Sequence, residues 1–223
     1  ESISSTIKGI YERYQTIGNH IITCKSEHKA VLAACEAIAK KGAQITYLAV
    51  DDQGQINCDE LRNAIRKETI LVCLMAVNNE TGVIHPIAKI AALCQQKNVL
   101  FFCDATQSIT KQPLDLSTTP IDMLCLSAHK FHGPKGIGVL FVRRKTKPIQ
   151  IEPLIIGGKQ ENGFRAGTYN TANIVGMAKA LEVSNYNSQR TIGDLRDYFE
   201  QRIVEEIEDC LVIFSKKLDN PPA

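Results

Sequence analysis

Short apolar runs alternate with segments of helical period along most of this chain, and that alternation limits its fold more than any other feature. Ile3 to Tyr14 carries apolar residues at 3, 7, 10, 11 and 14, the spacing of one helix face, and Gly18 stops it. His20 to Thr23 reads as a short strand, Val31 to Ile38 as a helix ending near Gly42, and Ile45 to Val50 as a strand. Asn57 with Glu60 makes a capping-box pattern for a helix from Asp59 to Arg66. Ile70 to Val77 is a long apolar strand broken by Asn78-Asn79-Glu80-Thr81-Gly82. Pro86 opens a helix to about Gln96, and Val99 to Cys103 is a strand ending in Asp104. Met123 to Leu126 continues the series, and Val139 to Val142 follows a turn punctuated by Gly133, Pro134, Gly136 and Gly138. Strands and helices alternating at this interval require crossover connections. The expected fold is therefore α/β: three layers, with a mainly parallel sheet covered on both faces.

In such sheets ligands bind beyond the carboxyl ends of the strands. Four strands here end in polar residues of chemical interest: His28, Asn78-Asn79, Asp104 and Ser127-Ala128-His129-Lys130. Taken singly, each has a plain reading: His28 starts a helix, Asn79 forms a turn, Asp104 caps a helix, and Lys130 is a solvated turn lysine. Their convergence on one sheet edge favours a site. A lysine held there beside a histidine and partly desolvated reacts as a free amine. The segment is not a phosphate loop, because no Gly-x-x-x-x-Gly-Lys-Ser/Thr is present. Gly136-x-Gly138 lacks the third glycine of a dinucleotide fingerprint and leads into a strand. His129-x-x-His132 has the spacing of a metal pair but no third or fourth ligand at helpful spacing, so no metal is expected.

Composition narrows the partners. A net charge of +2 with 22% charged residues gives no electrostatic case for nucleic acid or an anionic membrane, and no apolar run approaches a membrane span. The opening residues do not read as a signal peptide, so none is expected. None of the eight cysteines forms Cys-x-x-Cys, and Cys73, Cys103 and Cys125 lie inside apolar runs, which points to a reducing, cytoplasmic compartment. The chain opens at Glu1 directly into helix-like sequence and closes just after a strand-like run from Cys210 to Phe214. A lone strand has nothing to pair with, so a fragment of a longer protein is expected.

A lysine, a carboxylate and phosphate donors at one edge match the needs of pyridoxal phosphate. That cofactor takes a lysine for its covalent link and a carboxylate to keep its ring nitrogen protonated. Its phosphate takes hydroxyl and imidazole donors. Lys130, Asp104, Ser127 and His129 supply these groups, His28 could lie over the ring, and Gln107 could reach the ring hydroxyl.

Five segments carry a family resemblance: Ser26-Glu27-His28-Lys29-Ala30-Val31, Val77-Asn78-Asn79-Glu80-Thr81-Gly82-Val83, Asp104-Ala105-Thr106-Gln107-Ser108, Ser127-Ala128-His129-Lys130 with Gly133-Pro134-Lys135-Gly136, and Arg165-Ala166-Gly167-Thr168. In this order and at this spacing they resemble the cysteine desulfurases of NifS/IscS type, in the class V aminotransferase family. The resemblance implies fold type I of the pyridoxal-phosphate enzymes. It also implies a large cofactor-binding domain over 1–185, then over 186–223 the linking helix and first strand of a smaller α+β domain. Lys130 would bind the cofactor covalently and move the substrate Cα proton. Asp104 would pair with the ring nitrogen, His28 would stack on the ring and assist proton transfer, and Asn79 and Gln107 would hold the ring-hydroxyl side. Ser127 and His129 would bind the phosphate, and Thr168 would reach the phosphate of a partner subunit in a homodimer. Ala128 stands where glycine is frequent, and Ile109-Thr110 replaces a usual Val/Ile-Gly. The family's phosphate-binding Ala-Thr pair would precede Glu1, and its persulfide-forming cysteine and substrate arginine would follow Ala223.

The activity so implied is desulfuration of L-cysteine to L-alanine, with sulfur passed as an enzyme persulfide to an acceptor or iron–sulfur scaffold protein. The chain by itself is expected to be inactive. Alternatives are a selenocysteine lyase, another class V lyase or aminotransferase, or a non-catalytic scaffold that kept the fold.

Overall fold

A computed structural model of the chain describes residues 1–184, 186–210 and 212–213. Six strands form one sheet in the order β2-β1-β3-β4-β5-β6. The chain runs α1 (Ser2–Tyr14), β1 (His20–Cys24), α2 (Lys29–Ala39), β2 (Gln44–Leu48), α3 (Cys58–Ala64), β3 (Thr69–Met75), α4 (Ile87–Gln96) and β4 (Leu100–Asp104). It continues through β5 (Met123–Ser127), β6 (Gly138–Val142), α5 (Thr171–Val183) and α6 (Tyr186–Glu206). Strands β1 to β5 pair in parallel, and β6 alone runs antiparallel, against β5.

The expected alternation is present with small changes of boundary. Sequence reading missed α5. Of its residues Thr171–Val183 only Ala180 is buried, so no apolar face existed to impose a period. Leu211 and Phe214 of the expected Cys210–Phe214 strand lie outside the described residues, and Val212 and Ile213 are not strand.

Strand β3 is buried at every position and lies between β1 and β4, so its residues must satisfy two faces at once. Val72 and Leu74 point into a core shared with Leu61 of α3 and Ile90 of α4. Leu71 and Cys73 point the other way, against Ile7 and Ile10 of α1 and Val31 and Ile38 of α2. The two-residue pleat thus divides one apolar run between two cores. Gly9 lets the 149–153 segment cross α1: a Cβ there would lie 2.4 Å from the Glu152 carbonyl oxygen. Asn57 caps α3, its Oδ1 accepting from the Asp59 and Glu60 amides at 2.8 and 3.3 Å.

The edge next to β5 is tied down by Arg143. Its side chain donates to the carbonyls of Ile121, Leu116 and Thr119 at 2.6, 2.7 and 2.9 Å. Beside it, Asp122 accepts from the Phe101 amide at 2.9 Å and pairs with Lys145 at 2.5 Å. Arg143→Met should leave those three carbonyls without their charged donor and lower the unfolding free energy by about 2–3 kcal/mol. Urea denaturation checks this as a lower midpoint at unchanged slope.

Candidate functional site

Because β1, β3, β4 and β5 are parallel neighbours, their carboxyl ends share one edge. Register fixes the middle of that edge: Met75 pairs with Asp104, and Asp104 with Cys125. Asp104 is 6% exposed. Its Oδ1 accepts from the Thr106 amide at 2.9 Å and from the Cys125 thiol at 3.6 Å. The carboxylate shapes the turn that follows, as a capping residue would. Neither bond uses Oδ2.

One strand further on, β5 ends at Ser127 and the chain turns through a single 3₁₀ turn, Ala128–Phe131. Residues three apart eclipse in such a turn, so buried Ala128 and Phe131 anchor one side while His129 and Lys130 are exposed. His132 closes the turn in the left-handed region, at φ 66°. Gly133 follows where a Cβ would meet the Ala128 side chain at 2.8 Å. Ser127 Oγ and His129 Nδ1 lie 2.8 Å apart, which aligns a hydroxyl and an imidazole at the strand end.

Partial desolvation, expected for Lys130, falls on a different lysine. Lys130 is exposed, because the turn lifts it off the strand end. Lys111 is the half-buried one: burial first, and the Lys130 ammonium second, push its pKa down. Lys111 Nζ donates to Gln107 Oε1 at 3.1 Å, which turns the Gln107 amide NH₂ away from this bond. Between Gln107 and Lys111, Thr110 sits at φ 65°, a left-handed conformation that a β-branched residue rarely adopts.

The β1 and β3 ends are stitched together across the edge. Asn78 donates to the Ser26 carbonyl at 2.9 Å, and its Oδ1 accepts from the Glu80 and Thr81 amides at 2.9 and 3.0 Å. His28 caps α2: its Nδ1 accepts from the Ala30 amide at 3.1 Å, so a neutral ring carries its proton on Nε2. Asn79 and Gln107 line an open cleft of about 370 Å³ together with Lys111, Arg196, Glu200 and Ile213.

The structure therefore brings His28, Asn79, Asp104, Gln107, Ser127, His129 and Lys130 to one sheet edge. Thr168 stands apart on an exposed loop, and no hydrogen bond joins it to Ser127, His129 or Lys130. Sequence reading gave no role to Lys111 or to Glu27, which lies beside His28 and is only 5% exposed. A charged residue enclosed at a strand end is a functional signal, but only the folded structure reveals it.

All eight cysteines are free. Burial pushes the thiols of Cys24 and Cys58 up, those of Cys35 and Cys94 to about 12, and those of Cys73, Cys103 and Cys125 well above their ordinary range. Among the described residues no cluster of three or more His, Cys, Asp or Glu is arranged to hold a metal ion, and no helix is long and apolar enough to cross a membrane.

This geometry has close counterparts among known proteins. Cysteine desulfurase IscS of Dictyoglomus turgidum is 44% identical over 212 residues, covering 94% of this chain and 53% of that protein. The IscS of Mannheimia succiniciproducens is 48% identical over 183 residues, or 82% of this chain and 45% of its own length. The chain spans about half the length of these relatives. Among solved structures, a NifS-like protein superposes with a TM-score of 0.83 at 37% identity, covering 92% of this chain and 55% of its own. SspA in complex with cysteine gives 0.80 at 37% identity, over 91% of this chain and 58% of its own. The aminotransferase class-V family model matches residues 1–222. With this sheet, this edge and a match over nearly its full length, the chain belongs to the class V aminotransferase family.

Proposed function

We propose that this chain is the pyridoxal-phosphate domain of a cysteine desulfurase. The observation that carries the reading is a single edge where adjoining parallel strands offer a buried carboxylate, a hydroxyl–imidazole pair and an exposed lysine. The donor set fits the cofactor. Asp104 has Oδ2 left over from its turn bonds and would hold a proton on the ring nitrogen. Ser127 and His129, 2.8 Å apart at the strand end, would receive the cofactor's phosphate. Gln107, its Oε1 engaged by Lys111, has its NH₂ left to meet the ring hydroxyl, with Asn79 on the same side of the cleft. His28 would cover the ring.

Pyridoxal phosphate, when bound, supplies an electron sink that weakens the bonds at the substrate Cα. Lys130 would anchor it covalently and move the Cα proton once substrate takes its place. L-cysteine is the proposed substrate and alanine the product, with sulfur leaving as a persulfide to an acceptor or iron–sulfur scaffold protein. The cysteine relatives and the cysteine-bound neighbour support that choice over a selenocysteine lyase or a non-catalytic scaffold. The seven thiols raised by burial are poor nucleophiles, so the sulfur-accepting cysteine is not one of them. Eight free thiols suit a reducing, cytoplasmic compartment. Division into a cofactor domain over 1–185 and the start of a second over 186–223 belongs to the same proposal. So does a homodimer in which Thr168 reaches the partner's phosphate.

Three measurements test it. Borohydride reduction with pyridoxal phosphate, followed by peptide mapping, should place the pyridoxyl group on Lys130; a label on Lys111 or Lys135 would reassign the anchor. Asp104→Asn in the complete enzyme should retain the cofactor yet lose turnover by about 10²-fold or more, because an amide cannot hold the ring nitrogen's proton. Turnover near wild type would reduce Asp104 to a turn-forming residue. Incubation of this chain with L-cysteine and the cofactor should leave Cys24, Cys35, Cys58, Cys73, Cys94, Cys103 and Cys125 free of persulfide by mass spectrometry. A persulfide on Cys24 with sustained alanine production would move the nucleophile into this domain.

A further inference from the structure

Glu27 is an acid that the proposed chemistry leaves unused. It lies in the turn between β1 and α2, one residue before His28, and is 5% exposed. Oε1 accepts from the Met75 amide at 2.6 Å, at the last residue of β3. Oε2 is buried and has no hydrogen-bond partner. Met75 is the register partner of Asp104, so the anchored carboxyl stands next to the strand that carries the proposed ring-nitrogen partner.

The groups facing Glu27 come from every element around it: Cys24 on β1, Cys35 on α2, Cys73 on β3, and Cys103 with Asp104 on β4. Four are thiols and the fifth is an acid. Among the described residues no cation acts on it, so nothing compensates a charge placed there. A lone buried carboxylate is expensive, and such a group keeps its proton instead. Burial, opposed by the Met75 amide and reinforced by Asp104, pushes the Glu27 pKa up to about 8.

We propose that Glu27 is a positioning residue that works as the uncharged acid. It ties the backbone that carries His28 to the end of β3, and it puts no second buried charge beside Asp104. The tie is direct: Glu27 and His28 are consecutive, and a second bond from Asn78 to the Ser26 carbonyl holds the same turn. A protonated acid provides the Met75 acceptor without adding a second charge beside Asp104. The inference rests on the pyridoxal-phosphate reading for what His28 and Asp104 do, but not for the protonation of Glu27.

The test compares wild type, Glu27→Gln and Glu27→Leu. Glutamine is neutral at every pH and keeps an acceptor for the Met75 amide, whereas leucine keeps only the bulk. The first measurement is urea unfolding of the cofactor-free chain between pH 5 and pH 9. A pKa raised in the folded state gives stability that is complete below the unfolded value and lost as pH rises toward about 8. Relative to Glu27→Gln, the wild-type folding equilibrium should weaken by about tenfold per pH unit across that window and then level off. Parallel curves for the two proteins would show Glu27 to be charged throughout and overturn the proposal. The second measurement is pyridoxal phosphate affinity at pH 7, where glutamine should bind at least tenfold more tightly than leucine. Equal affinities would remove the positioning role. If none of the three proteins, wild type included, takes up pyridoxal phosphate, the functional reading fails, while the unfolding curves still decide the protonation of Glu27.

Discussion

The parallel hydrogen bonding of β3 between β1 and β4 is the constraint on which the rest depends. Every β3 side chain is enclosed, and alternate residues feed two separate cores, so a one-residue slip would exchange their contents. Register is therefore strongly held. It sets Met75 against Asp104, and Asp104 against Cys125 on the far side. Even loop residues take their places from it, since Glu27 and Asn78 reach across from the ends of β1 and β3 to bond each other's segments.

The sheet was legible because each of its strands is a run of apolar residues bounded by turn formers, and parallel strands announce themselves by the helices between them. Direction was less legible where the connection was short. Val139–Val142 read correctly as a strand, but the ten-residue connection 128–137, too short for a crossover helix, brings it back antiparallel. The α5 helix escaped because Val175, Leu181 and Val183 are exposed, so apolar residues were distributed without a face. Thr110 shows the limit in a different way. A residue where the family usually has glycine looked harmless in sequence, yet its backbone sits at φ 65°, the conformation for which glycine is suited. The chain bears the steric cost of that conformation beside Gln107 and Lys111.

The candidate site divides along a similar line. His28, Asp104, Ser127, His129 and Lys130 were legible because topology alone takes strand ends to one edge. Burial was not, since it depends on what covers a residue from distant parts of the chain. Lys130 sits in a motif and is exposed; Lys111 sits outside the motif and is half-buried beside it. Glu27 is flanked by exposed His28 and half-exposed Ser26, and by sequence it reads as a solvated charge. Only the arrival of β3 and β4 above it turns it into a core residue.

The thiols around Asp104 show why such enclosure matters to the charge itself. Cys103 precedes Asp104 on β4, Cys125 faces it on β5, and Cys73 lies in the neighbouring strand. Burial and the Asp104 carboxylate both resist ionisation of Cys125, so its sulfur keeps the proton it donates to Oδ1. A thiolate at that position would repel the carboxylate it now supports. The Asp104 carboxylate thus helps to keep the Cys125 thiol protonated, and that thiol donates to it in return. Replacing these cysteines by serine would keep a donor but bring in a hydroxyl that demands a second partner in an apolar strand. Cysteine supplies a weak donor at the volume of a small hydrophobe, which is what a carboxylate needs at the end of a buried sheet.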